Sequence, residues 1–156
     1  MFYTKLDSPL CEIYLVGDEE GLSQLHLDTG RGKRTFAVKE EWVRNDPFFA
    51  STAEQIREYF AGERTRFEVV LNPRGTDFQR RVWEELRKIP YGAVATYKDI
   101  ARGIGRERAV RAVGAANGRN PIPLIIPCHR VIGTNGKLTG FAHGLEIKGQ
   151  LLELER

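Results

Sequence analysis

The amino-acid pattern changes at one turn, Asn72-Pro73-Arg74-Gly75, and this change constrains the fold more than any other feature. Before the turn, short apolar runs alternate with polar turns, whereas after it apolar residues recur at three- and four-residue spacing. Thr76 and Gln79 follow the turn with the spacing of a capping box, which begins a helix. We therefore predict an α+β protein with a small N-terminal lobe, residues 1–73, and a mostly helical C-terminal domain, residues 74–156.

The N-terminal lobe has the pattern of a small antiparallel sheet with one helix. Apolar residues at 13–16 and 22–27 flank a polar turn and predict a β-hairpin. A helix is expected to start at Pro47. Its apolar face comprises Phe49, Ala53, Ile56 and Phe60. Residues 66–71 predict a further strand, and the aromatic residues of this lobe are assigned to its core, because nothing there indicates chemistry.

The C-terminal domain contains the pattern of a helix-turn-helix. Thr96 can cap a short helix over residues 97–102, and a second helix is predicted from Glu107 to about Asn117. A turn that contains two glycines separates them, as is typical of this motif. A final helix is predicted from about Leu145 to Leu154.

The helix-turn-helix segment is rich in arginine and in small residues. Between positions 102 and 119 there are five arginines and a single acidic residue, Glu107. The second helix also carries Ala112 and Gly114, which permit close approach to a nucleic-acid backbone or a narrow groove. A solvated basic surface and a tightly packed helix pair explain these features equally well, so these residues alone leave DNA binding open.

Composition limits the classes of protein to which the chain can belong. Of its 156 residues, 41% are hydrophobic and 29% are charged, which is typical of a folded globular protein. No apolar run is long enough to span a membrane, and the N-terminus lacks a signal-peptide pattern, so we expect a cytoplasmic protein. Cys11 and Cys128 are then expected to be reduced thiols. Their spacing matches no zinc motif, and neither a metal nor another cofactor is predicted.

Cys128 and His129 are adjacent and follow an apolar run that begins at Pro121. A thiol is a useful nucleophile only as the thiolate, and a nearby imidazole can accept its proton. On adjacency alone, a buried structural cysteine is the simpler explanation. In the final helix, Lys148 and Glu155 lie on or beside the apolar stripe, and from this pattern alone we expect both to extend to solvent.

Short motifs follow one another through the C-terminal domain. They are Pro-Tyr-Gly (90–92) with Thr-Tyr (96–97), Arg-Ala-Val-Gly-Ala-Ala-Asn (111–117), Asn-Pro-Ile-Pro (120–123), Ile-Pro-Cys-His-Arg-Val-Ile-Gly (126–133), Gly-Lys-Leu-Thr-Gly-Phe (136–141), and Gly-Leu-Glu-Ile-Lys (144–148) followed by Leu-Leu-Glu-Leu-Glu (151–155). In this order they resemble the motifs of the O6-alkylguanine-DNA alkyltransferases, also called methylated-DNA–protein-cysteine methyltransferases. The resemblance covers residues 76–156 closely and the N-terminal lobe weakly.

The resemblance implies a single-turnover DNA-repair protein. Such a protein transfers a methyl or other alkyl group irreversibly from O6 of guanine, and also from O4 of thymine, in duplex DNA to its own cysteine. It implies an RNase H-like N-terminal lobe, a monomer that binds the minor groove of double-stranded DNA, and no cofactor. The catalytic residues implied are Cys128, His129, Glu155, Asn120 and Tyr97. The DNA contacts implied are Arg111, Tyr97, Thr96, Ala112, Gly114 and Arg130. The guanine-pocket residues implied are Pro123, Val131, Phe141, Ala142 and Lys148.

Within this family the histidine relays the thiol proton through a water to the glutamate, and the asparagine holds the active-site turn. Three other functions are the alternatives, and the residues present favour each of them less. A relative that binds DNA without repairing it would lack the reactive cysteine. A helix-turn-helix regulator would not require Tyr97, Asn120, His129 and Glu155 together. A cysteine hydrolase would take its histidine from a distant part of the sequence and would leave the basic helix without a purpose.

Overall fold

Four strands form the sheet of the N-terminal lobe. The computed structural model describes residues 1–30, 36–136 and 144–156. The strands are β1 (Phe2–Leu6), β2 (Glu12–Asp18), β3 (Gly21–Asp28) and β4 (Val43–Arg44). Their order is β3-β2-β1-β4, with β1, β2 and β3 antiparallel and β4 parallel to β1. The predicted hairpin and the predicted antiparallel lobe are therefore confirmed.

The hairpin buries one face because alternate side chains of a strand point to the same side. Ile13 lies opposite Leu27, and Leu15 lies opposite Leu25, and all four are buried. The predicted helix follows a 3-10 turn at Pro47–Phe49 and is α1 (Ala50–Phe60). The buried residues of α1 and of the hairpin belong to one hydrophobic cluster, which continues into the C-terminal domain.

Residues 66–71 do not form the predicted strand. Only Leu71 pairs, in a single parallel bridge with Leu22. The side-chain amide of Gln55 binds the backbone of Glu68 instead: Nε2 donates to its carbonyl at 3.1 Å, and Oε1 accepts its N–H at 2.8 Å. The prediction was wrong because a side chain satisfies backbone groups that a strand ladder would otherwise pair.

The C-terminal domain is mostly helical, as predicted. In the part of it that the structure describes, the helices are α2 (Asp77–Leu86), α3 (Tyr97–Gly103), α4 (Val110–Gly118) and α5 (Leu145–Leu154), and the short strands are β5 (Ala95–Thr96) and β6 (Val131–Ile132). Thr76 and Gln79 form the predicted capping box of α2, and Thr96 forms another with Asp99 at the start of α3. The polar residues that flank these helices thus fix where each one begins.

Helix α4 begins three residues later than predicted. The N–H of Ala109 donates to the carbonyl of Arg106 at 2.9 Å, which closes a turn where the prediction placed the first helical residues. Gly105 has a φ of 74° and reverses the chain just before this turn. The pair α3 and α4 nevertheless has the helix–turn–helix arrangement that the sequence predicted.

A two-stranded parallel ladder joins the helix-turn-helix to the segment that contains Cys128. Ala95 pairs with Val131 and Thr96 pairs with Ile132. Because β5 leads directly into α3, and β6 directly follows Cys128–Arg130, the ladder holds these two segments side by side. Among the described residues, no helix combines the length and the apolar character needed to cross a membrane.

Candidate active site

Cys128 begins a 3-10 turn, Cys128–Arg130, that is closed by backbone hydrogen bonds. The N–H of Cys128 donates to the carbonyl of Ile126 at 2.7 Å, and the N–H of Arg130 donates to the carbonyl of Pro127 at 3.0 Å. The thiol is 4% exposed and is not joined in a disulfide. The turn therefore fixes a reduced, buried cysteine just before β6.

Asn120 holds the segment that leads to this turn. Its Nδ2 donates to the carbonyl of Ile126 at 2.8 Å, and its Oδ1 accepts the N–H of Ile122 at 2.9 Å. Within this segment the buried residue Leu124 has a φ of 76°, a left-handed conformation that costs a non-glycine residue about 1–2 kcal/mol. The two hydrogen bonds of Asn120 and the surrounding packing therefore hold a strained backbone in place.

A buried histidine–carboxylate pair lies next to the cysteine. Nε2 of His129 and Oε2 of Glu155 are 2.7 Å apart, and both side chains are excluded from solvent. Burial would raise the pKa of Glu155, but hydrogen bonds from His129, Arg130 and Tyr59 lower that pKa to about 2. An ionised carboxylate only accepts hydrogen bonds, so Nε2 of His129 carries the hydrogen and Nδ1 has the lone pair.

The unprotonated ring nitrogen of His129, Nδ1, is available to accept a proton. Nδ1 is buried and has no hydrogen-bond partner in the described part of the chain. Burial lowers the pKa of His129, although Glu155 partly opposes this shift, so the imidazole is neutral at rest. A neutral imidazole with an available lone pair can accept a proton from an adjacent thiol.

Arg130 lies inside the protein and binds Glu155. Its Nε donates to Oε1 at 2.8 Å and its Nη2 donates to Oε2 at 3.0 Å. Its Nη1 donates to the carbonyl of Ile89 at 2.8 Å, and the residue is 7% exposed. The expectation that Arg130 contacts DNA is therefore corrected, because its guanidinium is committed to internal partners.

Sequence reasoning missed Tyr59, which α1 of the N-terminal lobe contributes. Its Oη donates to Oε2 of Glu155 at 2.5 Å, and its side chain is fully buried. The available signal was that Tyr59 lies three residues after Ile56, on the face assigned to the core. A buried phenol hydroxyl needs a hydrogen-bond partner, and no polar partner was available within that apolar pattern.

Lys148 and Glu155 are both buried, contrary to the solvent-facing positions that the helical pattern alone predicted. Burial lowers the pKa of Lys148 to about 8, and the nearby charge of Cys128 opposes that shift. The expected pocket residues Pro123 and Val131 are buried in the segments on either side of Cys128. Two further expected pocket residues, Phe141 and Ala142, lie outside the described residues.

The expected DNA-binding residues lie on the helix-turn-helix. Thr96 and Tyr97 are half-buried at the start of α3, whereas Arg111 and Ala112 are exposed on α4. A Cβ atom at Gly114 would lie 3.9 Å from Cδ1 of Tyr97, so α4 approaches α3 closely at this glycine. Arg111 is the expected cation that this surface presents to solvent, in contrast to Arg130.

A second buried polar residue was also missed. Asn117 is 2% exposed near the end of α4, and neither Oδ1 nor Nδ2 has a hydrogen-bond partner among the described residues. Buried amides without partners are uncommon in folded proteins. The sequence placed Asn117 only as the last residue of a predicted helix and gave no reason to expect its side chain inside.

Two family models match the chain. The model described as the DNA binding domain of 6-O-methylguanine DNA methyltransferase matches residues 77–156, and the model described as its ribonuclease-like domain matches residues 1–73. The chain is 52% identical over 155 residues to the methylated-DNA–protein-cysteine methyltransferase of Methanosarcina acetivorans, with 99% of this chain and 98% of that protein covered.

Other relatives agree with these matches. The constitutive methylated-DNA–protein-cysteine methyltransferase of Bacillus subtilis is 41% identical over 167 residues, with 99% of this chain and 95% of that protein covered. The structure of Mycobacterium tuberculosis OGT in complex with DNA superposes with a TM-score of 0.91 at 45% identity, covering 99% of this chain and 92% of that one. The resemblance of the motifs is thus confirmed, and the chain belongs to the 6-O-methylguanine DNA methyltransferase family.

Proposed function

We propose that this protein repairs alkylated DNA by direct reversal, transferring a methyl or other alkyl group from O6 of guanine to Sγ of its own Cys128. The observation that carries the proposal is the buried His129–Glu155 pair beside a reduced cysteine. The names of the curated relatives describe a methyl transfer between methylated DNA and a protein cysteine.

The first step is the formation of the thiolate. Cys128 gives its proton to Nδ1 of His129, and the imidazolium is stabilised by the ionised carboxylate of Glu155. Lys148 adds a positive charge near the thiolate while it is protonated, which also favours the ionised sulfur. Asn120 contributes by holding the turn that carries the nucleophile.

The second step is a displacement at the alkyl carbon. The thiolate forms a sulfur–carbon bond as the bond between that carbon and O6 breaks, and the electron pair leaves with the guanine, which takes up one proton. The Tyr97 hydroxyl is proposed to assist this proton transfer and to stabilise the leaving base. The product is a thioether, which water does not cleave readily, so each molecule reacts once.

The substrate is proposed to be double-stranded DNA bound through its minor groove. The target nucleotide must rotate out of the duplex, at a cost of a few kcal/mol, before its alkyl carbon can meet a buried thiol. Arg111 is proposed to fill the gap, and Thr96, Tyr97, Ala112 and Gly114 to contact the DNA. The exposure of Arg111 and Ala112 on α4 supports these assignments.

The remaining assignments follow from the same mechanism. Pro123, Val131, Phe141, Ala142 and Lys148 are proposed to line the guanine pocket, and O4-alkylthymine is proposed as a second substrate. We propose further that the protein acts as a cytoplasmic monomer, with residues 1–73 and 74–156 as its two domains.

The proposal is tested by weighing the peptide that contains Cys128 after incubation with duplex DNA carrying O6-methylguanine. We expect one added methyl group per molecule and a matching loss of the lesion. Cys128→Ser should abolish transfer while it retains DNA binding, whereas Cys11→Ser should transfer normally. An unmodified Cys128 peptide beside intact lesion would refute the function, and repair by Cys128→Ser would refute the nucleophile.

A further inference from the structure

Tyr59 links the N-terminal lobe to the reacting groups of the C-terminal domain. It is fully buried, and its hydroxyl donates to Oε2 of Glu155, a residue 96 positions away in the sequence. Its ring packs edge-on against Tyr91, with the two ring centroids 6.2 Å apart, and against Phe60 at 5.2 Å. The ring is therefore held by packing, and its hydroxyl has a fixed direction.

Three donors converge on the same carboxylate oxygen. Oε2 of Glu155 receives Tyr59 Oη at 2.5 Å, His129 Nε2 at 2.7 Å and Arg130 Nη2 at 3.0 Å. The hydrogen bond from Tyr59 stabilises the ionised carboxylate and lowers its pKa, so Oε2 is a weaker acceptor for the N–H of His129 than it would be without that donor. Burial and the Glu155 charge both raise the pKa of Tyr59, so its hydroxyl keeps its proton and acts only as a donor.

The role of Tyr59 rests on the proposed function. It concerns how readily Cys128 loses its proton. We propose that Tyr59 is a positioning residue of the transfer reaction, whose hydroxyl orients Glu155 and moderates the negative charge that this carboxylate presents to His129. Tyr59 touches neither the substrate nor the thiol proton. It acts through Glu155 on His129, and through His129 on Cys128.

The groups that face this carboxylate and its histidine come from several elements. Tyr59 from α1 and Arg130 from the 3-10 turn bind the carboxylate, and the charges of Arg130 and of Lys148 from α5 act on His129. Tyr91, in the segment after α2, packs on Tyr59 and Arg130 rather than on the carboxylate. Lys148 titrates with a pKa of about 8 and therefore contributes to any pH profile of the site. A substitution that changes only the Tyr59 hydroxyl leaves the contribution of Lys148 in place.

The test is Tyr59→Phe, which removes the hydroxyl and keeps the packed ring. Without this donor, Glu155 accepts a stronger hydrogen bond from Nε2 of His129. The imidazolium is then favoured, so the Cys128 thiolate forms at lower pH. We expect the midpoint of the rate–pH curve to move down by roughly half a pH unit to one unit. The curve is measured for methyl transfer in a single turnover and, separately, for alkylation of Cys128 by iodoacetamide.

The matched control is Tyr91→Phe. Its hydroxyl donates to the carbonyl of Leu154 at 3.4 Å and does not bind Glu155, so we expect no movement of the midpoint. Alkylation of Cys11 in the same samples provides a reference for the reagent, and this rate should be the same in every variant. A Tyr59→Phe midpoint that matches the wild type, or that moves to higher pH, would overturn the proposal. A uniform loss of rate without a shift would also overturn it, since that indicates a purely structural role.

A second variant keeps the test decisive if Tyr59→Phe does not fold. Site-specific 3-fluorotyrosine at position 59 is a stronger hydrogen-bond donor, so the midpoint should move to higher pH, and an unmoved midpoint contradicts the proposal. The iodoacetamide curve separates the two hypotheses. If wild-type protein leaves O6-methylguanine intact but the alkylation curves shift as described, the repair function fails and the role of Tyr59 on Cys128 stands.

Discussion

Within the described residues, Glu155 receives four hydrogen bonds from three side chains, and these bonds determine what the residue can do. With a pKa of about 2 it is ionised at every pH at which the protein works, so it orients and stabilises His129 rather than storing the transferred proton. Arg130 balances its charge inside the protein. Glu155 and Arg130 therefore form a buried ion pair, and His129 is hydrogen-bonded to its carboxylate.

The reassignment of Arg130 can be tested against Arg111. Removing one partner of a buried ion pair costs about 3–5 kcal/mol because the other charge is left uncompensated. We expect Arg130→Ala to lower the free energy of unfolding by this amount in urea denaturation at neutral pH, with the affinity for undamaged duplex DNA little changed. Arg111→Ala, which alters an exposed side chain, should weaken DNA binding and leave stability within about 0.5 kcal/mol. If Arg130→Ala instead weakened DNA binding and left stability unchanged, Arg130 would be a DNA contact after all.

The depressed pKa of Glu155 also predicts how stability depends on pH. Because the folded value of about 2 lies below the ordinary 4.5, its contribution is complete above pH 4.5 and is lost as the pH falls towards 2. The shift corresponds to on the order of 3 kcal/mol. Urea denaturation between pH 4.5 and 2.5 should show a steeper loss in the wild type than in Glu155→Gln. Glu153→Gln, which alters an exposed partner of Arg156, should follow the wild type.

At the scale of the elements, residues close in sequence predicted most of what is observed. The hairpin was predictable from alternation, and the starts of α2 and α3 from Thr76 and Thr96, because a cap and its helix are in contact within one turn. Gln55 could not be recognised as the partner of Glu68, and Tyr59 could not be recognised as the partner of Glu155. Each of these pairs is formed by tertiary packing, at separations of 13 and 96 residues.

The capping box of α2 gives a prediction that belongs to this scale. Thr76→Ala removes the acceptor of the Gln79 N–H, which lies 3.1 Å from Thr76 Oγ1, and should lower the free energy of unfolding by about 1 kcal/mol. The rate of methyl transfer should not change, because Thr76 is exposed and is remote from the Cys128 turn in the sequence. Thr76→Ser retains the hydroxyl and should restore stability, and a loss in Thr76→Ser equal to that of Thr76→Ala would refute the cap.

At the scale of the whole molecule, the two lobes are joined at the segment that leads to the cysteine. The N–H of Leu25 in β3 donates to the carbonyl of Pro121 at 2.9 Å, and Tyr59 of α1 reaches Glu155. One hydrophobic cluster contains buried residues of both lobes. The sequence pattern predicted a boundary at residues 72–75, but it carried no information about the hydrophobic core and the hydrogen bonds that the two parts share.

This shared core predicts a single unfolding transition. In Trp42→Phe the fluorescence reports only Trp83, which is buried in α2 and donates to the carbonyl of Ala116 at 2.9 Å. Urea denaturation of this variant followed by Trp83 fluorescence and by far-ultraviolet circular dichroism should give one coincident midpoint. Two separated midpoints would show that the lobes unfold independently and that the contacts between them contribute little.

Two hydrogen bonds between the lobes, Leu25 to Pro121 and Tyr59 to Glu155, also have a consequence for folding during synthesis. During synthesis the N-terminal lobe, which carries Leu25 and Tyr59, leaves the ribosome before the C-terminal domain. The strained segment around Leu124 emerges after Leu25, which binds its first residue, Pro121. Glu155 is added after Tyr59, Cys128 and His129. Before Glu155 is added, a nascent chain therefore carries Cys128 and His129 without the carboxylate that orients and stabilises the imidazole, so we expect the thiol to ionise less readily at that stage.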